Sequence, residues 1–255
     1  MMKKTIPTLL ISSLTLTSAA SSSAAILASW DTFAGNTTGN NFFVAAANDP
    51  NVSADSVMAG LVATLTDEGG ANGFIRDIQT TSGSGDGDFG TLETGASMSA
   101  GRLRIQNVNP NQTTANLNGE PGDINLNLTN NTGSTITFDN VLFDFLAQES
   151  NTGATTHEDY SVVFENTTTM VTSGVLGSGS ATFGGYTDVD IDASSLTLPD
   201  GESGRFIITL SGADAGSSSS AILDNFAVTG STIPEPSSLA LLALGGLAFA
   251  RRRRA

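Results

Sequence analysis

Three sets of aspartates have the residue type and spacing to do chemistry. Asp188, Asp190 and Asp192 occupy every second position of Thr187-Asp-Val-Asp-Ile-Asp192. A β-strand would therefore place all three carboxylates on one face, about 6.6 Å apart. Crowded carboxylates repel one another, and a hard cation such as Ca²⁺ relieves that repulsion through oxygen ligation. One ion would need a bend or a partner loop, and the competing reading is a solvated acidic face. Asp86 and Asp88 lie in Gly83-Ser-Gly-Asp-Gly-Asp-Phe-Gly90. Its glycines let backbone carbonyls turn toward an ion beside the carboxylates. The spacing is not that of an EF-hand, and a polar hairpin turn competes. Asp224 stands in Ala221-Ile-Leu-Asp-Asn-Phe-Ala-Val228. Strict alternation puts Ile222, Asp224, Phe226 and Val228 on one face, aiming a carboxylate at the core. That burial needs a cation, hydrogen bonds or a bulge. A structural Ca²⁺ at these aspartates is the one cofactor the sequence suggests.

Catalytic residues are scarce. Glu149, Glu158 and Glu165 supply carboxylates of the kind that two-carboxylate glycosidases pair as acid and base. Nothing in their spacing sets a separation. His157, the one histidine, stands beside Glu158 and Asp159 and reads as a surface loop residue. No Gly-x-Ser-x-Gly elbow is present. No catalytic residue is assigned. Trp30 lies in an apolar first strand and reads as core rather than as a sugar platform. Asn36, Asn51, Asn111, Asn127, Asn130 and Asn166 each open an Asn-x-Ser/Thr sequon, which an Asn/Thr-rich chain produces by composition.

Composition sets the outer limits. The 255 residues contain no cysteine, 25 acidic and 10 basic side chains. A disulfide framework, thiolate zinc sites and a cysteine nucleophile are excluded. Between Lys4 and Arg251 the basic residues are Arg76, Arg102, Arg104 and Arg205, set against all 25 carboxylates. Such a body repels phosphate backbones, so nucleic acid is not a partner.

The elements that must position these residues are strands. Asp123-Ile-Asn-Leu-Asn-Leu-Thr-Asn130 alternates throughout, with Ile124, Leu126 and Leu128 on one face. The same pattern puts Leu103 and Ile105, Phe206, Ile208 and Leu210, and Val189 and Ile191 inward; Val141, Phe143 and Phe145 line one side of an apolar strand. Further strands are expected at Ile26–Phe33, Val57–Leu65, Tyr160–Glu165, Met170–Leu176 and Ala221–Thr229. Turns rich in Gly, Asn, Ser and Asp separate them, as at Asp67–Gly70 and Asn130–Gly133. About ten strands with one solvated face each predict an all-β, jelly-roll-like antiparallel β-sandwich over residues 26–230. A β-helix is the alternative, and no constant repeat period supports it.

The two ends differ in kind from the body. Residues 1–25 run from Lys3 and Lys4 through the apolar Thr5–Thr17 to the small residues Ser18–Ala25. That order is a secretory signal peptide, a helical segment removed by signal peptidase after Ala24 or Ala25. Residues 231–255 begin with a Ser-Thr linker. Then come Pro234-Glu235-Pro236, which stays extended because proline donates no backbone hydrogen bond, and the uncharged run 237–250. As a helix the run is about 21 Å long against a hydrocarbon core of about 30 Å, a marginal span. Arg251, Arg252, Arg253 and Arg254 close the chain and hold that end on the cytoplasmic side.

Pro-Glu-Pro, an apolar helix and a terminal arginine cluster, in that order, resemble a PEP-CTERM sorting signal. The resemblance covers about 23 residues. It implies export in a Gram-negative, exopolysaccharide-producing bacterium, with Pro234, Glu235 and Pro236 recognised by a membrane-embedded exosortase. Leu239 to Ala250 would be the transient membrane helix and Arg251 to Arg254 the stop-transfer tail. The closing Leu223-Asp-Asn-Phe-Ala-Val228 also resembles the last strand of jelly-roll carbohydrate-binding modules. Together these imply an exported, non-enzymatic cell-surface or matrix protein, transiently anchored in the inner membrane, whose sandwich serves adhesion or polysaccharide association. The alternatives are a secreted carbohydrate-active hydrolase and a permanently membrane-anchored surface module.

Overall fold

The computed structural model describes residues 25–32, 52–67, 75–79, 89, 102–106, 122–147, 157–181, 185–212 and 220–233. The expected terminal helices, Asp86, Asp88, Glu149, Pro234 to Pro236 and Arg251 to Arg254 lie outside them. In chain order the strands are β1 (Ala25–Trp30), β2 (Val52–Ser53), β3 (Ser56–Val57), β4 (Leu61–Asp67), β5 (Ile75–Gln79), β6 (Arg102–Gln106), β7 (Gly122–Asn130) and β8 (Thr135–Ala147). They continue with β9 (Asp159–Asn166), β10 (Val171–Thr172), β11 (Gly177–Ser180), β12 (Thr187–Asp192), β13 (Thr197–Leu198), β14 (Ser203–Ser211) and β15 (Ser220–Ile233). Among the described residues no helix is long and apolar enough to cross a membrane.

Two antiparallel sheets form the body. Sheet A has the order β12-β8-β15-β1-β3, with β13 on β8 and β6 linking β15 to β5. Sheet B has the order β10-β9-β14-β7-β4-β2, with β11 on β9. Successive long strands alternate between sheets: β7 is in B, β8 in A, β9 in B, β12 in A, β14 in B and β15 in A. This is the jelly-roll-like sandwich that the alternation predicts. Asn130–Gly133 accordingly connects the two sheets rather than closing a hairpin.

The inner faces carry the expected side chains. Ile124, Leu126, Leu128, Phe206, Ile208 and Leu210 of sheet B meet Val141, Phe143, Phe145, Val189 and Ile191 of sheet A in one buried cluster. Phe138 of sheet A meets Phe164 in a tilted and Phe206 in an edge-on contact across the core from sheet B, with ring centroids 5.5 and 5.1 Å apart. Each fully buried phenylalanine contributes about 1.5–3 kcal/mol. Trp30 is fully buried, its indole N–H donating to the Val52 carbonyl at 3.0 Å.

Where the chain departs from strict alternation, it does so for local reasons. The expected strand Val57–Leu65 breaks into β3 and β4 because Gly60 adopts φ 84°, a left-handed turn. Met170–Leu176 yields only the short β10, with Met170 itself left-handed (φ 58°). β15 continues through Ser231 and Thr232 to Ile233, beyond Thr229 and into the segment expected to be linker. It pairs with β8 on one side and β1 on the other, and Ala25 lies opposite Gly230.

The centre of sheet A is buried on both faces. Val141–Ala147 of β8 and Ala221–Thr229 of β15 are buried without a break, as expected where an apolar strand run is covered on both sides. Phe89 contributes to the outer cover, packing with Leu142, Ala227 and Ile26 in a second, smaller cluster.

Candidate functional site

The residue that most clearly breaks the rules of burial is Asp224, and its position follows from a bulge. Pairing between β15 and β8 shifts register between Asp224 and Ala227. Asn225 supplies the extra residue, with φ 48°. The bulge reverses the side-chain parity beyond it. Leu223, Phe226 and Val228 therefore enter the main core, while Asp224 and Ala227 turn to the outer face of sheet A. This corrects the expectation that Ile222, Asp224, Phe226 and Val228 share the core face. Asp224 is nevertheless 1% exposed, because the outer face is covered there too.

Register places a second carboxylate beside it. Asp144 of β8 lies directly opposite Asp224 and is fully buried. Asp188 of β12 lies opposite Asp144 on the other side and is exposed. Three aspartates thus form one row across β12, β8 and β15, with neighbouring strands about 4.8 Å apart. Asn225 ties the inner end together. Its backbone N–H donates to Asp224 Oδ1 at 2.9 Å, and its Nδ2 donates to Asp144 Oδ2 at 2.6 Å. Asp224 Oδ2 and Asn225 Oδ1 are buried and accept no hydrogen bond.

Electrostatics follow from this geometry. Burial pushes the Asp224 carboxyl up to about 8, and the Asp144 and Asp31 charges push the same way. The Asn225 N–H and the Arg102 guanidinium oppose the rise without cancelling it. Asp31 itself is raised, first by burial and then by the charge of Asp55. Asp55 has its own work, since its Oδ2 accepts the N–H groups of Asp31 and Thr32 at 2.9 and 2.8 Å.

The other predicted residues are distributed differently. Asp188, Asp190 and Asp192 share one exposed face of β12, as their spacing predicts. Asn140 Nδ2 donates to Asp190 Oδ1, and Asp192 Oδ1 accepts the Ser194 N–H at 2.8 Å. Those bonds from Ser194 lower the Asp192 carboxyl. Asp86 and Asp88 lie outside the described residues. Among the described residues no three His, Cys, Asp or Glu side chains gather as a metal centre. The inner end of the row instead combines two carboxylates with an amide.

His157 is 1% exposed, which corrects the surface-loop reading. It precedes β9, and at the next residue the Glu158 N–H donates to the Ser211 carbonyl while the Glu158 carbonyl accepts the Ala181 N–H. Glu165 is held by Arg205, Nε to Oε2 at 2.6 Å. The Asn130 sequon is structural: that side chain is fully buried and donates to the carbonyls of Ser134 and Leu198, both at 2.8 Å.

The outer face of sheet B has a different chemistry. Register aligns Thr64, Asn127, Arg205 and Glu165 in one row across β4, β7, β14 and β9. Val62, Thr129 and Ser203 form the next row, and Asp123, Thr209 and Ser161 another. Side chains bond along and between rows: Asn127 Nδ2 to Thr66 Oγ1 at 3.0 Å, Thr209 Oγ1 to Asp123 Oδ1 at 2.6 Å, and Thr129 Oγ1 with Ser203 Oγ at 2.8 Å. Hydroxyls and amides are thereby ordered along this face, interrupted by the row Thr66, Asn125, Ile207 and Val163, and the Arg205 charge is neutralised by Glu165.

Comparison with known proteins adds the following. Residues 232–254 match the PEP-CTERM protein-sorting motif. No curated protein matches the chain. Among solved structures, similarity extends to TmCBM61 in complex with beta-1,4-galactotriose (7% identity, 66% of this chain, 88% of that one, TM-score 0.36). It also extends to carbohydrate-binding modules of promiscuous specificity from the β-sandwich superfamily (10% identity, 68% and 58%, TM-score 0.33). A third is the arabinose-bound α-L-arabinofuranosidase MgGH51 (13% identity, 80% of this chain, TM-score 0.36), of which the chain spans 27%.

Proposed function

We propose that this is an exported, non-enzymatic surface protein, delivered by its C-terminal sorting signal, whose β-sandwich associates with extracellular polysaccharide. The observation that carries the reading is the sorting motif at 232–254, joined to a strand of the sandwich that runs to Ile233. Signal peptidase at the N-terminus and an exosortase-type enzyme acting at Pro234-Glu235-Pro236 are the implied processing partners. The mature product loses Arg251 to Arg254 and resides at the cell envelope or outside it.

The outer face of sheet B is the surface assigned to polysaccharide. Its rows of Thr, Asn and Ser present donors and acceptors at strand spacing, the chemistry that matches sugar hydroxyls. The Arg205–Glu165 ion pair leaves that row without net charge, which suits an uncharged glycan. Two measurements test the reading together. Mass spectrometry of envelope and secreted fractions is expected to find a product without the arginine tail. A glycan array with hydrolysis assays is expected to show retention without turnover, weakened about tenfold by Asn127→Ala combined with Thr64→Ala, the loss of roughly 1.4 kcal/mol. An intact tail contradicts the sorting, and clean turnover of a polysaccharide contradicts the non-enzymatic role.

A further inference from the structure

We propose that Asp224, Asn225 and Asp144 form a binding site for one hard divalent cation, Ca²⁺, on the covered outer face of sheet A. The inference is independent of what the sheet B face binds.

The geometry of unmet acceptors carries it. Asp224 Oδ2 and Asn225 Oδ1 belong to adjacent residues that are 1% and 0% exposed, and neither accepts a hydrogen bond. Asp144, itself fully buried, is drawn to the same spot by the 2.6 Å bond from Asn225 Nδ2. With the Asp224 carboxyl ionised, both unmet atoms are acceptors, so the deficit is one of positive charge or donors, which a cation that displaces the proton supplies. Turning the Asn225 amide over would not help. It would set Oδ1 against the Asp144 carboxylate and strand Nδ2, so the network supports the orientation described. Arg102 does not hydrogen-bond Asp224 Oδ2. Buried unpaired acceptors cost free energy, and a bound cation answers both atoms at once.

The donor set selects the ion. Carboxylate and amide oxygens without nitrogen or sulfur suit Ca²⁺ rather than Zn²⁺. Mg²⁺ demands near-ideal octahedral ligands and dehydrates reluctantly, which a strand bulge is poorly placed to satisfy. The bulge itself gains a purpose. Without the extra residue Asn225, regular alternation would send Asp224 into the aromatic core, where no oxygen partners wait. Extracellular calcium modules bind at roughly 10⁻⁴–10⁻³ M. A site of that class fills outside the cell and stays empty during synthesis, so the middle of sheet A would consolidate only after export.

The test uses the full chain in detergent micelles, stripped with chelator and titrated with Ca²⁺ or Tb³⁺. Trp30 is the one tryptophan, and it pairs in register with Phe226, two residues from Asp224. Excitation at the red edge of the indole band should therefore sensitise Tb³⁺ emission, and Ca²⁺ should displace it. The unfolding midpoint should rise about 5–10 °C at a hundredfold excess of Ca²⁺ over Kd. Asp224→Asn is expected to abolish both responses while leaving the chelated midpoint equal or higher, an outcome that simple loss of a structural residue does not produce. Asn225→Gly keeps the left-handed backbone and removes the amide ligand, and it should lose emission at Tb³⁺ concentrations that saturate the parent. A midpoint unchanged by Ca²⁺, or emission and midpoint shift both retained in Asp224→Asn or in Asn225→Gly, overturns the proposal.

Discussion

Asp224 holds its proton far above the ordinary carboxylate value of 3.8, at about 8, chiefly because water is excluded from it. The consequence for stability has a definite sign. Between those two values the folded chain keeps a proton that the unfolded chain has released, so stability falls as pH rises through that window and levels off above it. Denaturant melts in chelator at several pH values should show this decline, and Asp224→Asn should flatten it. At this scale the sequence revealed the anomaly but not its geometry. A lone carboxylate in an apolar strand marked Asp224 as costly, yet counting by twos sent it to the wrong face. The count fails at Asn225, whose left-handed φ of 48° is a conformation asparagine tolerates but does not announce. Asp144 was missed although the signal was present, since Leu142-Phe143-Asp144-Phe145-Leu146 sets one carboxylate in an otherwise apolar run. Read as a strand covered on both faces, that run would have singled Asp144 out.

Elements with strict alternation were legible almost to the residue. β7, β12 and β14 each present one apolar face and appear where the pattern puts them. Apolar residues without alternation misled. Met170, Val171 and Val175 read as strand, yet all three are exposed, because a left-handed turn at Met170 leaves only two residues to pair. The first half of β8 escaped notice because Thr135–Asn140 buries only Ile136 and Phe138. Close approach of strands also leaves no trace in a hydropathy pattern. At Gly230 an added Cβ would lie 2.3 Å from the Thr137 carbonyl oxygen and 2.8 Å from Leu27 Cδ1. Backbone on one side cannot yield as a flexible side chain would. Gly230→Ala is expected to lower stability by about 1–3 kcal/mol, read as an earlier denaturant midpoint. Gly133→Ala meets open space yet carries a left-handed φ of 76°, so a smaller loss there would separate crowding from backbone strain.

The whole molecule is organised around its last strand. β15 is an interior strand of sheet A, contacting β8, β1 and β6, and it supplies Leu223, Phe226 and Val228 to the main core. Sheet B, by contrast, is built from β2, β4, β7, β9, β10, β11 and β14, all of which precede it. Ending the chain after Ser211 should therefore abolish cooperative unfolding, seen as a featureless melt and rapid proteolysis. Ending it after Ile233 should leave the transition in place. That difference was not legible from the sequence, where the resemblance of Leu223–Val228 to a last jelly-roll strand does not say which strands flank it; its central place is a property of topology.

Because Ala25 faces Gly230 across the β1–β15 pair, the chain enters and leaves the sandwich at one corner. A tether at either terminus would suspend the body from the same point. Under the proposed processing, an attachment ahead of Ala25 and one beyond Ile233 would hold the sandwich by the same edge, so passing from one to the other would not require the domain to turn over.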